Sequence, residues 1–158
     1  MFNRDFMDYH SDRFKDSSLM FYENDELIAL LPMSLHKSEL RSHGGLTYGG
    51  FITNERMKQY KMLECFNELK KFMQEKGIEK LVYKTIPHIF HKYPAEEDLY
   101  ALFVNNAKLI KIEPSTTIFL KNAYKMPKGR KAQISRAKRE GVIIEELADF
   151  KTFVNGRK

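Results

Sequence analysis

Three groups of residues in this chain have side chains and spacing suited to chemistry. His88 and His91 stand three apart in the dense stretch His88-Ile89-Phe90-His91-Lys92-Tyr93-Pro94. Two imidazoles so spaced can meet on one side of a turn, but a metal site needs further ligands, and neither the nearby acids nor the distant Cys65 completes a recognisable set. The pair reads first as hydrogen-bonding partners in a loop packed by Ile89, Phe90 and Tyr93, with a ligand-facing role left open because loops carry function. The second group is basic: Arg130, Lys131, Arg136, Lys138 and Arg139, with Lys121, Lys125 and Lys128 nearby. Arginines so placed can grip phosphate oxygens in a fork, or simply solvate a helix that joins two domains. The third is Ser42-His43-Gly44-Gly45-Leu46-Thr47-Tyr48-Gly49-Gly50-Phe51-Ile52, where two glycine pairs mark backbone that bends or approaches something closely. Either two turns bound a short strand, or the amides around Tyr48, Gly49 and Gly50 face a ligand. No Ser/His/Asp or Cys/His nucleophile set is present.

The elements that must position these groups follow from apolar periodicity. Phe6, His10 and Phe14 recur every four residues, as on a short amphipathic helix within residues 2–14. Residues 19–22 and 27–31 are apolar runs joined by Glu23-Asn24-Asp25-Glu26, a hairpin with Asn24-Asp25 as its turn pair, and the continuous second run asks for cover on both faces. Pro32 ends or interrupts that strand, and a third strand falls within residues 34–41. Residues 54–76 carry Tyr60, Leu63, Phe66, Leu69, Phe72 and Met73 at helical spacing, with Thr53 or Asn54 as cap and Gly77 as stop. A strand over residues 80–86 ends at Pro87, and a helix opens at residues 95–98 and runs through Leu99, Leu102 and Phe103. Residues 107–112 and 115–120 are two strand candidates whose antiparallel pairing would close the sheet. A linker at 125–129 leads into the basic helix, which Gly141 stops. Residues 142–147 make a strand, and Asp149-Phe150 begins another helix.

Composition sets the outer bounds. The 158 residues, 42% hydrophobic and 30% charged, suit one domain with a core of its own. A formal charge of +6 favours anionic partners. The single cysteine, Cys65, excludes an internal disulfide and falls inside a helical pattern, as a packed thiol would. No run is long and apolar enough for a membrane span and no signal core opens the chain, so a cytoplasmic setting is the expectation.

In order, then, the chain is helix, three strands, long helix, strand, helix, two strands, and this resembles the GNAT acyltransferase fold: α/β of the α+β kind, a mixed and mostly antiparallel sheet with helices on both faces. The glycine stretch, Lys84-Thr85-Ile86-Pro87-His88-Ile89-Phe90-His91-Lys92-Tyr93-Pro94-Ala95-Glu96-Glu97-Asp98, and Lys128-Gly129-Arg130-Lys131 with Ile134-Ser135-Arg136-Ala137-Lys138 are similar to the Fem-type branch of that superfamily, over about residues 8–153. The resemblance implies acyl or aminoacyl transfer to an amine of a cell-envelope or sugar precursor, from acyl-CoA or an aminoacyl-tRNA, by two GNAT-like domains in tandem. It makes residues 1–124 the N-terminal domain and residues 125–158 a linker, basic helix and the start of a second domain. It also makes Lys84, His88, His91 and Tyr93 substrate-facing candidates at the cleft between the halves.

The chain departs from the family's donor site. A pyrophosphate loop of the type Arg/Gln-x-x-Gly-x-Gly/Ala leads directly into a helix whose positive end attracts the anion. At the matching place stands Tyr48-Gly49-Gly50-Phe51-Ile52-Thr53-Asn54-Glu55, with no Gly-x-Gly spacing, no basic residue ahead, and Glu55 expected in the helix's first turn. Residues up to about 120 therefore read as the half that binds no cofactor and is inactive alone. Two other classes compete: a tRNA-binding module built on the basic helix, and a structural or assembly domain.

Overall fold

The structure is a computed structural model, and it describes residues 2–42, 44–121, 125–144 and 146. Its fold is α+β, with two mostly antiparallel sheets and several helices. The chain divides into two units, Met1–Ile110 and Lys111–Lys158.

The first unit is organised by one hairpin that changes sheet halfway along. Its arms are β1 (Lys15–Asp16) continuing into β2 (Leu19–Glu23), and β3 (Glu26–Leu31) continuing into β4 (Ser34–His36). The turn pair is Asn24-Asp25, both with positive φ (48° and 64°), the geometry whose twist suits a two-residue hairpin. Across the arms Leu19 faces Leu31 and Asp16 faces Ser34. Between those pairs Pro32 has no N–H to give, and the ladder is replaced by side-chain bonding. The Met33 amide donates to Ser18 Oγ (3.2 Å), while the Ser17 amide donates to the Met33 carbonyl (3.0 Å).

Each half of the hairpin recruits different partners. β3 pairs with β6 (Ile52–Thr53), giving the order β2-β3-β6. β4 turns through Lys37 (φ 54°) into β5 (Glu39–Arg41), and β5 pairs in parallel with β7 (Lys80–Val82), giving β1-β4-β5-β7. The third strand expected within residues 34–41 is thus two short ones. A register shift near Phe21 leaves Ile28 as an extra residue on β3 and puts both Ile28 and Ala29 in the core, which accounts for the continuous apolar run.

Helix α2 (Gln59–Glu75) buries Met62, Cys65, Phe66 and Leu69. Tyr60 does not share that face: it is 58% exposed. The helix also starts later than expected. Residues Ile52 and Thr53 are used as strand, Asn54 Oδ1 accepts from the Arg56 amide in a turn of its own, and Lys58 is the cap residue. At the other end the Ile78 amide reaches the Met73 carbonyl (2.8 Å) and the Gly77 amide the Gln74 carbonyl (3.2 Å), with Gly77 at φ +63°. Helix α3 (Glu97–Val104) buries Ala101 and packs Leu102 on the core, whereas Phe103 points to solvent. Asn106 (φ 54°) ends it with the same bonding pattern, a stop the sequence did not disclose.

Helix α1 (Arg4–Asp8) is only five residues long, shorter than the pattern over 2–14. The rings of Phe6, His10 and Phe14 still gather, with His10 between the other two (5.1 and 6.3 Å). The Cys65 thiol is buried, and burial followed by the charge of Glu64 pushes its pKa up to about 11, so it is an unreactive packing group. Among the described residues no helix is long and apolar enough to cross a membrane.

In the second unit, α4 (Lys128–Arg139) buries none of its residues and Gly141 (φ +80°) ends it. The expected strands at 107–112 and 115–120 are not formed, and Leu109, Ile110, Ile112, Phe119 and Leu120 lie exposed. Their β-forming side chains cover no packed surface among the described residues, and strand propensity is realised only against one. Residues 142–144 likewise make no strand, with Ile144 96% exposed. Residues 145, 147 and the expected helix at Asp149-Phe150 lie outside the described residues.

Gly77→Ala should cost about 1 kcal/mol, since an added Cβ meets no atom there and only the left-handed backbone resists it. Asn106→Gly should be neutral or stabilising. Chemical denaturation of both variants checks the pair.

Candidate functional site

The β5–β7 seam does not stop where the strands do. Beyond Arg41, the Ser42 amide donates to the Val82 carbonyl (2.9 Å), and Ser42 Oγ accepts from the Lys84 amide (2.6 Å). Ser42 is fully buried, so this hydroxyl stands in for a ladder partner where the strand bends away. At β7 itself Glu39 lies opposite Lys80 and their side chains pair at 2.6 Å; that lysine, then Arg41, holds the Glu39 carboxyl below its usual range.

The glycine stretch packs against this seam. A Cβ on Gly49 would lie 2.7 Å from the Ser42 carbonyl oxygen, and one on Gly50 would lie 2.8 Å from Tyr83 Oη and 2.9 Å from the Lys84 carbonyl oxygen. Gly50 has φ +93° as well. The Phe51 amide donates to Tyr83 Oη (2.8 Å), the Gly44 amide to Ser34 Oγ (2.8 Å), and Lys84 Nζ to the Leu46 carbonyl (2.6 Å). Glycine at these positions lets two backbones touch. His43 lies outside the described residues.

Tyr83 connects the turn to a helix. Its hydroxyl accepts from Phe51 and donates to Asp98 Oδ2 (2.7 Å), in the first turn of α3. Its ring sits beside Phe51 and Phe66 (6.3 and 5.9 Å). Burial first, and then the Asp98 carboxylate, push the phenol pKa well above its ordinary value. The Lys84 ammonium is shifted the other way, downward, by burial and then by Arg41.

Around the outside of this packed seam runs the loop from Pro87. It makes one tight turn over His88–Phe90, and Phe90 stacks on Tyr48 (5.1 Å, 29°). His88 and His91 do come together, with ring centroids 5.4 Å apart. His91 Nε2 bonds the Ile86 carbonyl (3.1 Å), leaving its buried Nδ1 with no hydrogen-bond partner. His88 Nε2 faces Glu96 at 3.6 Å, and Tyr93 is partly exposed. Among the described residues no cluster of three or more His, Cys, Asp or Glu is arranged to hold a metal.

Of the residues singled out from sequence, Tyr48, Gly49, Gly50, Lys84, His88 and His91 therefore belong to one neighbourhood. Within it the glycines and Lys84 hold the backbone, and Tyr48 with the histidines forms the outer layer. Arg130 and Lys131 lie in the other unit, on α4, where Arg130 bonds Gln133 (3.0 Å). Glu55 precedes α2 by several residues and is not in its first turn, so the expected repulsion at that helix end does not arise. Sequence reasoning passed over Ser42, Tyr83 and Asp98. The serine directly ahead of a glycine pair was the one usable signal; nothing in the spacing of Tyr83 and Asp98 announces a bond.

Comparison with known proteins adds no relative: no family model, curated protein or solved structure matches the chain.

Gly50→Ala should cost upwards of about 2 kcal/mol, more than Gly77→Ala, because left-handed strain and a backbone clash add. Denaturant midpoints of the two variants compare them directly. A second expectation concerns alkaline pH. The unfolded chain ionises its tyrosines near pH 10 while folded Tyr83 keeps its proton, so above that pH the folded chain binds more protons and stability falls as pH rises. Tyr83→Phe should flatten that fall between pH 10 and 11; an unchanged slope would exclude the buried phenol as its source.

Proposed function

We propose that this chain is the N-terminal, acceptor-side part of a Fem-type GNAT transferase, which forms one wall of the cleft for an amine-bearing envelope or sugar precursor. The acyl-CoA or aminoacyl-tRNA donor belongs to a second GNAT-like domain. The observation that carries this reading is the inward packing of Gly49 and Gly50 onto Ser42, Tyr83 and Lys84. A diphosphate cradle needs backbone amides aimed at open space and a helix that starts at once. Here Phe51 and Gly44 spend their amides on Tyr83 and Ser34, and β6 intervenes before α2. The residues present do not fit a coenzyme diphosphate.

What the neighbourhood offers outward is a layer of rings. Tyr48 stacked on Phe90, with His88, His91 and Tyr93 along the same loop, supplies flat faces, and the hydroxyls of Tyr48 and Tyr93 with the His88 ring supply hydrogen-bonding groups, suited to a sugar or a free amine. The ring layer of Tyr48, His88, Phe90, His91 and Tyr93 contains no serine, cysteine or lysine nucleophile. GNAT-type chemistry needs none in the protein, because the acceptor amine attacks directly.

A second reading has one observation in its favour. Helix α4 exposes its whole basic surface, and among its described arginines and lysines only Arg136 meets an acid, Glu140 (2.8 Å). Such a surface suits the phosphates of tRNA.

Calorimetry with acetyl-CoA should give no saturable heat in the micromolar range; saturation there would overturn the acceptor-side reading. Uridine-diphosphate glucosamine titrated into isotope-labelled protein should shift the amides of Tyr48, His88 and His91. Shifts confined to residues 128–139, with tRNA binding that weakens steeply as salt rises, would favour the second reading.

A further inference from the structure

Among the described residues, strand β2 (Leu19–Glu23) is the outer strand of its sheet, paired with β3 on one side only. Edge strands are usually protected by lysine, proline or a covering segment. The sequence of β2, Leu-Met-Phe-Tyr-Glu, contains neither residue, and Met20 and Tyr22 are 63% and 58% exposed. Beside the edge, between β2 and α2, lies a groove of about 590 Å³. Its apolar lining includes Leu19, Phe21 and Phe72, and its charged lining is Glu23, Lys61, Glu64 and Glu68.

The charges around this groove are unlike those of the chain as a whole. Glu23 is paired with Lys61, and Glu68 with Lys71 (2.6 Å). Glu64 is exposed and has no ion-pair partner among the described residues. With Glu23 and Glu68 each held by a lysine, Glu64 is the one unpaired charge on the described lining, and a carboxylate there on a chain of formal charge +6 favours a cationic occupant. It argues against nucleic acid, and it argues against a second copy joined edge to edge, because that arrangement would bring two Glu64-bearing walls together.

We propose that this groove is a docking site for an extended basic peptide segment of a partner protein, which adds as a strand to the free edge of β2. Main-chain hydrogen bonds to β2 would supply affinity. Alternate apolar side chains would enter the groove, and a lysine or arginine on the same face would meet Glu64. Five residues of edge at roughly 3.3 Å each pair with about five residues of peptide, so a heptapeptide overhangs by one residue at each end.

The probe is a fluorescein-labelled heptapeptide in which threonine alternates with valine and lysine stands at both ends, so that lysines and valines share one face. Its counterpart has glutamate at both ends. Anisotropy at low salt should show saturable binding of the lysine peptide, at least tenfold weaker binding of the glutamate peptide, and at least a fivefold loss with Glu64→Lys, an exposed position that leaves the fold intact. A lysine peptide N-methylated at alternate residues should also bind at least fivefold more weakly. No saturable binding, equal binding of the two peptides, indifference to Glu64→Lys or to N-methylation, or an edge blocked by self-association in sedimentation would each overturn the proposal.

Discussion

The candidate site depends on a strand pairing that outlasts its strands. The parallel contact of β5 with β7 is three residues long, and a seam so short would leave the chain beyond it unsupported. Ser42 extends it by one amide and one hydroxyl, and its full burial makes those bonds obligatory, because an unpartnered polar group in that position would be costly. Once Lys84 is fixed in this way, its carbonyl and the neighbouring Tyr83 hydroxyl become the surface on which Gly49 and Gly50 must lie. Tyr83 then passes the constraint to α3 through Asp98, and the loop carrying His88 and His91 is held between these anchored ends.

Much of this framework was legible in the sequence. The Asn24-Asp25 turn, the core face of α2 through Phe66 and Leu69, the stop at Gly77 and the basic helix ended by Gly141 all rest on local rules that involve a few neighbouring residues. The mistakes arose where tertiary context decides. Thr53 looks like a helix cap in isolation, but pairing with Ala29 claims it for β6. Residues 107–120 have the composition of strands and cover no packed surface among the described residues. Of the candidate site, the sequence disclosed the residues but not their division of labour: that Lys84 holds a carbonyl while Tyr48 lies on Phe90 follows from distances no spacing encodes.

The two units differ in what stabilises them. The first has a contiguous core drawn from β3, β5, α2 and α3, including Leu31, Leu40, Leu69 and Ala101, with Met33 added from the link between β3 and β4. In the second, α4 buries none of its residues and ends in the same capping pattern as α2, so among the described residues its bonds are local ones. Its basic side chains are therefore presented on an exposed helix.

The hairpin that crosses from one sheet to the other has a bearing on how the chain assembles. Closing a two-residue turn at Asn24-Asp25 brings together residues 15–36 and so seeds both sheets in one local event. The entropy of loop closure is met once, over a short length, before the more distant β6 and β7 arrive. The interruption at Pro32 then lets the two ladders keep separate registers, so that a slip in one need not propagate into the other.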